Sequence, residues 1–340
     1  MAGLNYAKWF APATAFLISV AFWPGISGAA TSPRWAVAAV SLGYLDWRLL
    51  PFVAFCFFAV DFDSAVHWAI VSAAFCWGLN VSACERSGRD DAVRRVVQAF
   101  AAGIFGSGCI AICQAGFGLS EIPQLAIPGG LFLNKNFMGE AACLTLIASL
   151  QYRLWLPALI CVPALILSTS RASWIGAILS ICFILPWRWA AGLLFLAAIM
   201  LCAGYLAGFE TSPATLLQRL SLWHDAIQNF HWLGSGAYDY STIQYREPNL
   251  HNDWLQLIYE FGIVGLIPLI VVFMAGGNGL PFAVALLVIG SFGFPLQMPA
   301  TAWFAAFMLG HFVGCGHDAG RSVIRPWRPN WRLHSPFSRA

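Results

Sequence analysis

Three side chains in the second half of the chain could act on a phosphorylated substrate: Arg171, Arg219 and His251. An arginine stays protonated and presents a planar fork of N–H donors that can bind two phosphate oxygens together. A histidine imidazole can titrate near neutral pH and take a proton from a hydroxyl group. These residue types suit recognition of a phosphate next to a reacting hydroxyl.

Arg171 lies in a short hydroxyl-rich turn, Ser168-Thr169-Ser170-Arg171-Ala172-Ser173, between two apolar runs. The hydroxyl group of Ser170 and the backbone of this turn could face an anion together with the guanidinium. The alternative is an arginine that snorkels from a helix end to the membrane surface.

Arg219 lies in a predicted amphipathic helix on the outer membrane surface. Ser212 and Pro213 are typical of a helix start, and apolar residues then recur at helical spacing. Arg219 is one turn before Trp223, at the edge of the apolar face, where a lipid-linked phosphate would be found. A plain surface arginine is the alternative. The apolar positions are Leu216, Leu220, Trp223, Ile227 and Phe230.

His251 stands at a loop-to-helix junction, beside Asn252 in Pro248-Asn249-Leu250-His251-Asn252-Asp253-Trp254-Leu255. It is a candidate proton acceptor, although a lone histidine at such a place is more often a capping or interfacial residue. His224 and His231 lie on the same loop, and no direct role is expected for them. Gly234 and Gly236 permit a tight turn after the loop helix, and that role alone explains them.

Asn134, Lys135 and Asn136 mark the predicted outer start of another helix. They are candidate substrate-binding residues, and the other candidates for this role are Ser170, Trp223, Gly234, Gly236 and Asn252. Asparagine is also a good helix N-cap, so a structural role is equally compatible with this position.

The elements that must position these residues are predicted to be membrane-spanning helices. The chain of 340 residues is 59% hydrophobic and 10% charged, whereas soluble domains carry about 25% charged residues. A span needs about 20 apolar residues, and the apolar runs predict an all-α polytopic protein of about twelve spans. The second and third runs are short and could form one broken helix. The runs are 9–27, 35–45, 49–62, 65–83, 96–118, 136–151, 155–168, 173–187, 190–208, 254–274, 280–294 and 299–315.

The basic residues predict the orientation, because cytoplasmic loops are enriched in them. With both ends inside, 13 of the 18 lysines and arginines are cytoplasmic. The long segment 209–253 then becomes the main outer, periplasmic loop. Residues 1–320 form one domain, and 321–340 form a basic cytoplasmic tail that is solvated or lies on anionic headgroups. The five outer cations are Arg34, Lys135, Arg171, Arg219 and Arg246.

Other classes of function find little support in the sequence. Nothing favours nucleic-acid binding, and the ten cysteines show neither CxxC nor Cys/His metal spacing. The N-terminal apolar stretch resembles a signal peptide, but the many similar spans after it favour an uncleaved first helix. A transporter or lipid flippase stays a rival, since it too would have about twelve spans. Such a protein should show repeat symmetry, and none is found.

Taken in order, these pieces resemble the O-antigen ligase and O-antigen polymerase superfamily of bacterial envelope enzymes. The resemblance covers roughly residues 130 to 270. It is carried by Asn134-Lys135-Asn136 with Gly139, by Ser170-Arg171, by Arg219 with Trp223, by Leu233-Gly234-Ser235-Gly236, and by His251-Asn252 with Leu255, Glu260 and Gly262.

The resemblance implies a metal-independent, inverting glycosyltransferase without a cofactor, in a bacterial inner membrane with its site facing the periplasm. Its donor would be a glycan on undecaprenyl diphosphate, and its acceptor a hydroxyl of lipid A-core in a ligase or of another lipid-linked glycan in a polymerase. Arg171 and Arg219 match the family positions that contact the diphosphate, and His251 matches the loop histidine near the acceptor. A protein O-oligosaccharyltransferase is less expected, because no extended C-terminal region follows the last span.

Overall fold

A computed structural model describes residues 2–21, 31–86, 91–118, 128–194, 213–236 and 250–316. These residues are helices and connecting turns, with no β-strand in the described ranges. The predicted basic tail, Ser212, Arg246 and the pair Pro248-Asn249 lie outside them.

The first half contains five α-helices. They are α1 (Ala2–Val20), α2 (Thr31–Ala38), α3 (Leu50–Ala59), α4 (Phe62–Arg86) and α5 (Ala92–Phe117), with 3-10 helices at Ala39–Tyr44 and Trp47–Leu49.

The second half begins with a 3-10 turn at Gly130–Phe132, and residues 187–194 are helical as well. Its helices are α6 (Lys135–Gln151), α7 (Trp155–Ser168), α8 (Arg171–Ile184), α9 (Pro213–Gln228), α10 (Asp253–Phe261), α11 (Ile267–Met274), α12 (Leu280–Phe292) and α13 (Pro299–Gly316). A 3-10 helix at Gly262–Leu266 joins α10 to α11, and another at Gly277–Gly279 precedes α12.

The twelve predicted spans are not confirmed as a count. Three helical stretches among the described residues are long and apolar enough to cross a membrane: Phe62–Ala83, Ala92–Phe117 and Asp253–Met274. A fourth would be the pair Pro33–Tyr44 and Trp47–Ala59, which is bent by 115° at its break. The sequence left these two runs open as one broken helix. Asp46 makes the break, because its side chain accepts a hydrogen bond from the Arg48 backbone and starts a new turn.

Backbone conformation ends or interrupts several of the predicted runs. Helix α7 ends at Ser168, where the apolar run 155–168 was predicted to end, and the next residue, Thr169, has a φ of 49°. The run 254–274 is interrupted at Gly262, which has a φ of 59°. Gly293 and Pro295 follow α12, where the chain turns into α13.

Two helices, α6 and α13, form the centre of the bundle, since nearly all of their side chains are buried. Helix α13 crosses α4 closely through small residues: a Cβ on Gly310 would overlap the Phe75 carbonyl, and one on Gly78 would overlap the Phe307 carbonyl. Small residues four apart are a common means of close helix contact in membranes, and Gly314 continues the contact against Ser82.

This crossing predicts the effect of adding one methyl group. Gly310→Ala places a Cβ against the Phe75 carbonyl, so the two helices must separate. We expect the free energy of unfolding to fall by about 1–3 kcal/mol, as for other overpacked cores. Thermal unfolding of the purified protein in detergent measures this. Gly116→Ala is the matched control, because a Cβ there has open space around it, and an equal loss in both variants would contradict the packing argument.

Large apolar side chains cover much of the outer surface. Phe58 is 82% exposed, Phe117 85% and Trp187 76%. Such side chains are stable when they face lipid, whereas soluble proteins rarely expose apolar patches on this scale. The chain is a multi-pass membrane protein.

Candidate functional site

Two of the predicted site segments, the start of α6 and His251, contact one connection, the α12–α13 turn (residues 293–298). Its Phe294 ring lies 5.0 Å from the Phe137 ring of α6 and 5.5 Å from the His251 imidazole, measured between ring centroids. The turn itself is closed by a hydrogen bond of 3.1 Å from the Gln297 N–H to the Phe294 carbonyl. Residues far apart in the sequence therefore meet around Phe294.

His251 is held in an uncommon backbone conformation just before α10. Its φ is 53°, and the side chain is half-buried. The helix cap is its neighbour Asn252, whose side chain accepts a hydrogen bond of 3.1 Å from the Leu255 N–H. A residue other than glycine that has a positive φ is strained, and contacts with its surroundings must stabilise it. The imidazole is thereby fixed against the α12–α13 turn, while Asn252 has a structural role.

Trp223 fixes the segment in front of His251. Its indole N–H donates a hydrogen bond of 2.8 Å to the Leu250 carbonyl, and its ring lies 6.3 Å from Phe292. Leu222 and Ala226 on the same helix bury themselves against Leu250. Helix α9 thus fixes the backbone in front of His251, and the hydrogen bond from Trp223 to Leu250 is called the Trp223 clamp below.

The predicted loop helix is present as α9, but its apolar face divides into two. The side turned to the protein carries Trp223, while Leu220 and Ile227 stay 47% and 63% exposed. An exposed apolar stripe beside a polar one is what a helix needs to lie in a membrane interface. The sequence assigned both sides to one face because helical spacing alone does not show which residues a neighbouring helix covers.

Arg219 reaches the end of α12. Its Nη1–H donates a hydrogen bond of 3.2 Å to the Phe292 carbonyl, one residue before the α12–α13 turn, and the side chain is half-buried. Arg219 and His251 therefore lie at the start of the same turn. Their joint role at one site stays a prediction, which these two contacts support.

Arg171 is the exposed first residue of α8, preceded by a small hydroxyl cluster. The Ser173 hydroxyl donates to the Ser170 hydroxyl over 2.9 Å, and the Ser170 N–H donates to the Ser168 hydroxyl over 3.2 Å. A Cβ on Gly139 of α6 would meet Ser168 and Ser170. The Arg171 turn thus packs on α6, the helix whose next residue, Glu140, abuts Gly293.

At the start of α6, Asn134 acts as the N-cap. Its side chain accepts a hydrogen bond of 2.9 Å from the Asn136 N–H. Lys135 is half-buried and Asn136 is exposed. Asn134 therefore caps α6, which is the structural role that the sequence offered for it. Phe137, in the first turn of the helix, packs against Phe294.

Gly234 and Gly236 serve the backbone. Both have positive φ, 93° and 82°, and a Cβ on Gly234 would overlap the Glu260 carbonyl. The neighbouring Ser235 N–H donates a hydrogen bond of 2.8 Å to the Tyr259 carbonyl. These contacts fasten the end of the α9 loop to α10, so the turn role explains both glycines.

Arg34, the first of the predicted outer cations, is only 3% exposed. Its Nη2 donates to the Leu131 carbonyl over 2.8 Å and to the Ser19 carbonyl over 3.2 Å. The guanidinium also lies 4.4 Å from the Phe132 ring centroid. Arg34 therefore ties α1 to the segment before α6 and has a structural role.

Two buried carboxyl groups were given no role by the sequence. Asp253 is fully buried, and its Oδ2 accepts a hydrogen bond of 2.7 Å from the Leu296 N–H. Glu140 is 2% exposed and lies against Gly293 and the Phe294 backbone. Acidic residues within apolar helices are costly and often functional, which was the available signal. Both carboxyl groups contact the backbone of the α12–α13 turn and stabilise its conformation.

One comparison bears on this arrangement. Residues 156–270 match the family model of the O-antigen ligase. The match confirms the resemblance to the O-antigen ligase and polymerase superfamily, whose members are membrane glycosyltransferase-like enzymes. No curated protein matches the chain. The matched segment contains Arg171, Arg219, Trp223 and His251, whereas Asn134–Asn136 and the α12–α13 turn lie outside it.

Proposed function

We propose that the chain is an O-antigen ligase-like glycosyltransferase, which moves a glycan from undecaprenyl diphosphate to a hydroxyl of lipid A-core. The observation that carries the proposal is the meeting of Arg219 and His251 at the α12–α13 turn, through Phe292 and Phe294. Both residues come from the segment that matches the ligase family. Contacts two residues apart, at Phe292 and at Phe294, support a common site for the cation and the proton acceptor.

In the proposed reaction, neutral His251 takes the proton of the acceptor hydroxyl as that oxygen attacks the anomeric carbon. The bond between the anomeric carbon and the diphosphate oxygen breaks, and the diphosphate leaves with the electron pair. One displacement inverts the configuration. Arg219, Arg171 and Lys135 stabilise the charge on the leaving diphosphate, so the reaction needs neither metal nor cofactor.

The proposed site faces the periplasm of a bacterial inner membrane. Segments that the charge pattern assigns to the outer side contact one another: Arg34 binds Leu131, and the His67 Nε2 lies 2.9 Å from the Leu296 carbonyl. His251 meets Phe294 at the same end. These contacts support a common side for the predicted outer loops, and the arginine bias assigns that side to the periplasm.

A polymerase of the same superfamily is the alternative, since it uses the same donor chemistry with a lipid-linked glycan as acceptor. Polysaccharide analysis of a deletion strain separates the two. Loss of all long chains on lipid A-core with accumulation of lipid-linked polymer indicates a ligase, and core capped by a single repeat indicates a polymerase. An unaltered glycan profile would favour a transporter or a role in another pathway and would contradict the proposal.

The Trp223 clamp predicts a smaller effect on the reaction. Trp223→Phe keeps an aromatic ring but loses the hydrogen bond to the Leu250 carbonyl. Such a bond contributes about 0.5–1.5 kcal/mol, so we expect transfer to slow by about 2- to 10-fold. Initial rates with a lipid-linked donor and lipid A-core in proteoliposomes measure this. Trp232→Phe, on a side chain that is 73% exposed, should keep the wild-type rate, and equal losses would contradict the clamp.

A further inference from the structure

A second polar feature lies at the far end of the α12–α13 turn. It is an open cleft of about 580 Å³ between the start of α4, α2, α10 and Gln297. Its volume is within the range of small-molecule sites. The lining residues that matter here are Trp35, Asp61, Asp63, His67, Glu260 and Gln297.

The charge of this cleft is opposite to that of the proposed donor site. Asp61, Asp63 and Glu260 supply three carboxyl groups, and no lysine or arginine is among the described residues that line it. Like charges in close contact are strongly disfavoured. A phosphate or a carboxylate is therefore repelled here, whereas hydroxyl and amino groups find acceptors.

The polar wall of the cleft is tied to the backbone in front of His251. Gln256, which is 4% exposed, accepts a hydrogen bond of 3.2 Å from the Leu250 N–H. Its own amide donates to Glu260 Oε1 over 2.8 Å. This relay holds the Glu260 carboxyl group in place at the cleft, so the acceptor groups there are already ordered before any ligand binds.

Aromatic and imidazole rings form the other wall. The Trp35 and His67 ring centroids are 4.4 Å apart, and the His67 Nε2 is 2.9 Å from the Leu296 carbonyl. Because a carbonyl oxygen can only accept, the proton of this bond lies on Nε2. An amphipathic ring beside ordered oxygen acceptors suits a sugar, which presents C–H groups on its faces and hydroxyl groups at its edges.

The cleft lies close to the proposed reaction centre. His67 contacts Leu296, and His251 contacts Phe294, two residues earlier in the same turn. Two residues span at most about 7 Å. The cleft and the imidazole of His251 therefore adjoin the same turn, and the Arg219 contact at Phe292 is farther along the chain from the cleft.

We propose that this cleft binds the acceptor glycan, and that it selects a neutral or amine-bearing sugar over a phosphorylated or acidic one. The proposal rests on the proposed function and adds the acceptor class to it. Segregation of charge then keeps the two substrates apart: the diphosphate goes to the arginines and the acceptor sugar to the carboxyl groups.

The test uses Asp63, an exposed residue at the start of α4, and the full chain in proteoliposomes. Transfer is measured with a lipid-linked donor and with dephosphorylated or phosphorylated lipid A-core as acceptor. We expect wild type to prefer the dephosphorylated acceptor. Asp63→Arg should raise the KM for that acceptor at least about tenfold and leave the KM for the donor unchanged. Asp91→Arg, on an exposed aspartate before α5, is the matched control.

A binding measurement separates the two hypotheses. Saturation-transfer NMR measures binding of the water-soluble, dephosphorylated core oligosaccharide to wild type and to Asp63→Arg. Transfer with acceptor KM values that are equal in wild type and Asp63→Arg would overturn the cleft assignment while the proposed function stands. Oligosaccharide binding that Asp63→Arg abolishes, in a protein without transfer activity, would support the cleft as a sugar site and overturn the transferase.

Discussion

Replacing His251 by alanine should lower the rate of glycan transfer by about 10²- to 10⁴-fold, the usual contribution of a positioned general base. The acceptor hydroxyl would then have to lose its proton to water during the attack. The imidazole stands against Phe294 at the turn that Arg219 also contacts, at Phe292. Single-turnover rates with lipid-linked donor and lipid A-core in proteoliposomes measure the effect on the chemical step.

The control for this variant is His224→Ala. His224 is exposed on α9, in the same loop region, so its loss should leave the rate unchanged. Donor binding should also be unchanged in His251→Ala, because the arginines remain. Near-normal transfer by His251→Ala would contradict the role as base. A matching loss in His224→Ala would point to a general disturbance of the loop instead.

The sequence was most informative where a polar residue interrupts an apolar pattern. Arg219, Trp223 and His251 stand in a segment whose composition differs from that of its surroundings, and the structure places each at or beside the α12–α13 turn. A local signal sufficed for Asn134, since an asparagine before a helix is a preferred cap, whereas the same role of Asn252 was not predicted. A role that depends on a single loop or on the start of a single helix can therefore be predicted without knowledge of the tertiary structure.

The turn that gathers the site could not be predicted, because its importance arises from contacts between distant segments. Phe294 has no chemical signal of its own, yet α6 and His251 both meet it. An acidic residue beside an apolar run was the available signal for Asp253, but its partner, the Leu296 N–H, lies 43 residues away and is visible only in the structure. The same limit applied to the span count, since hydropathy does not show that Gly262 interrupts the run 254–274.

Arg219→Lys should slow transfer by about tenfold, and Arg219→Ala by about 10²- to 10³-fold, the usual cost of removing one donor to a developing oxyanion. Lysine keeps the positive charge but loses the planar fork that binds two phosphate oxygens. It also loses the geometry that now anchors the guanidinium on the Phe292 carbonyl over 3.2 Å. Steady-state kinetics over a range of donor concentrations in proteoliposomes measure kcat and KM for both variants.

Arg188→Lys is the matched control, because Arg188 is an exposed arginine that the charge pattern places at the opposite, cytoplasmic side. Its kinetics should equal those of wild type.

Arg171→Lys should slow transfer by less than Arg219→Lys does, but by more than Arg188→Lys. The Arg171 side chain is exposed at the start of α8, so solvent screens more of its interaction with the diphosphate. A loss in kcat marks stabilisation of the departing diphosphate, whereas a rise in KM alone marks ground-state binding. Unchanged kinetics in both Arg219 variants would contradict contact with the diphosphate. The only role left for Arg219 would then be a structural one, the hydrogen bond that joins α9 to the end of α12.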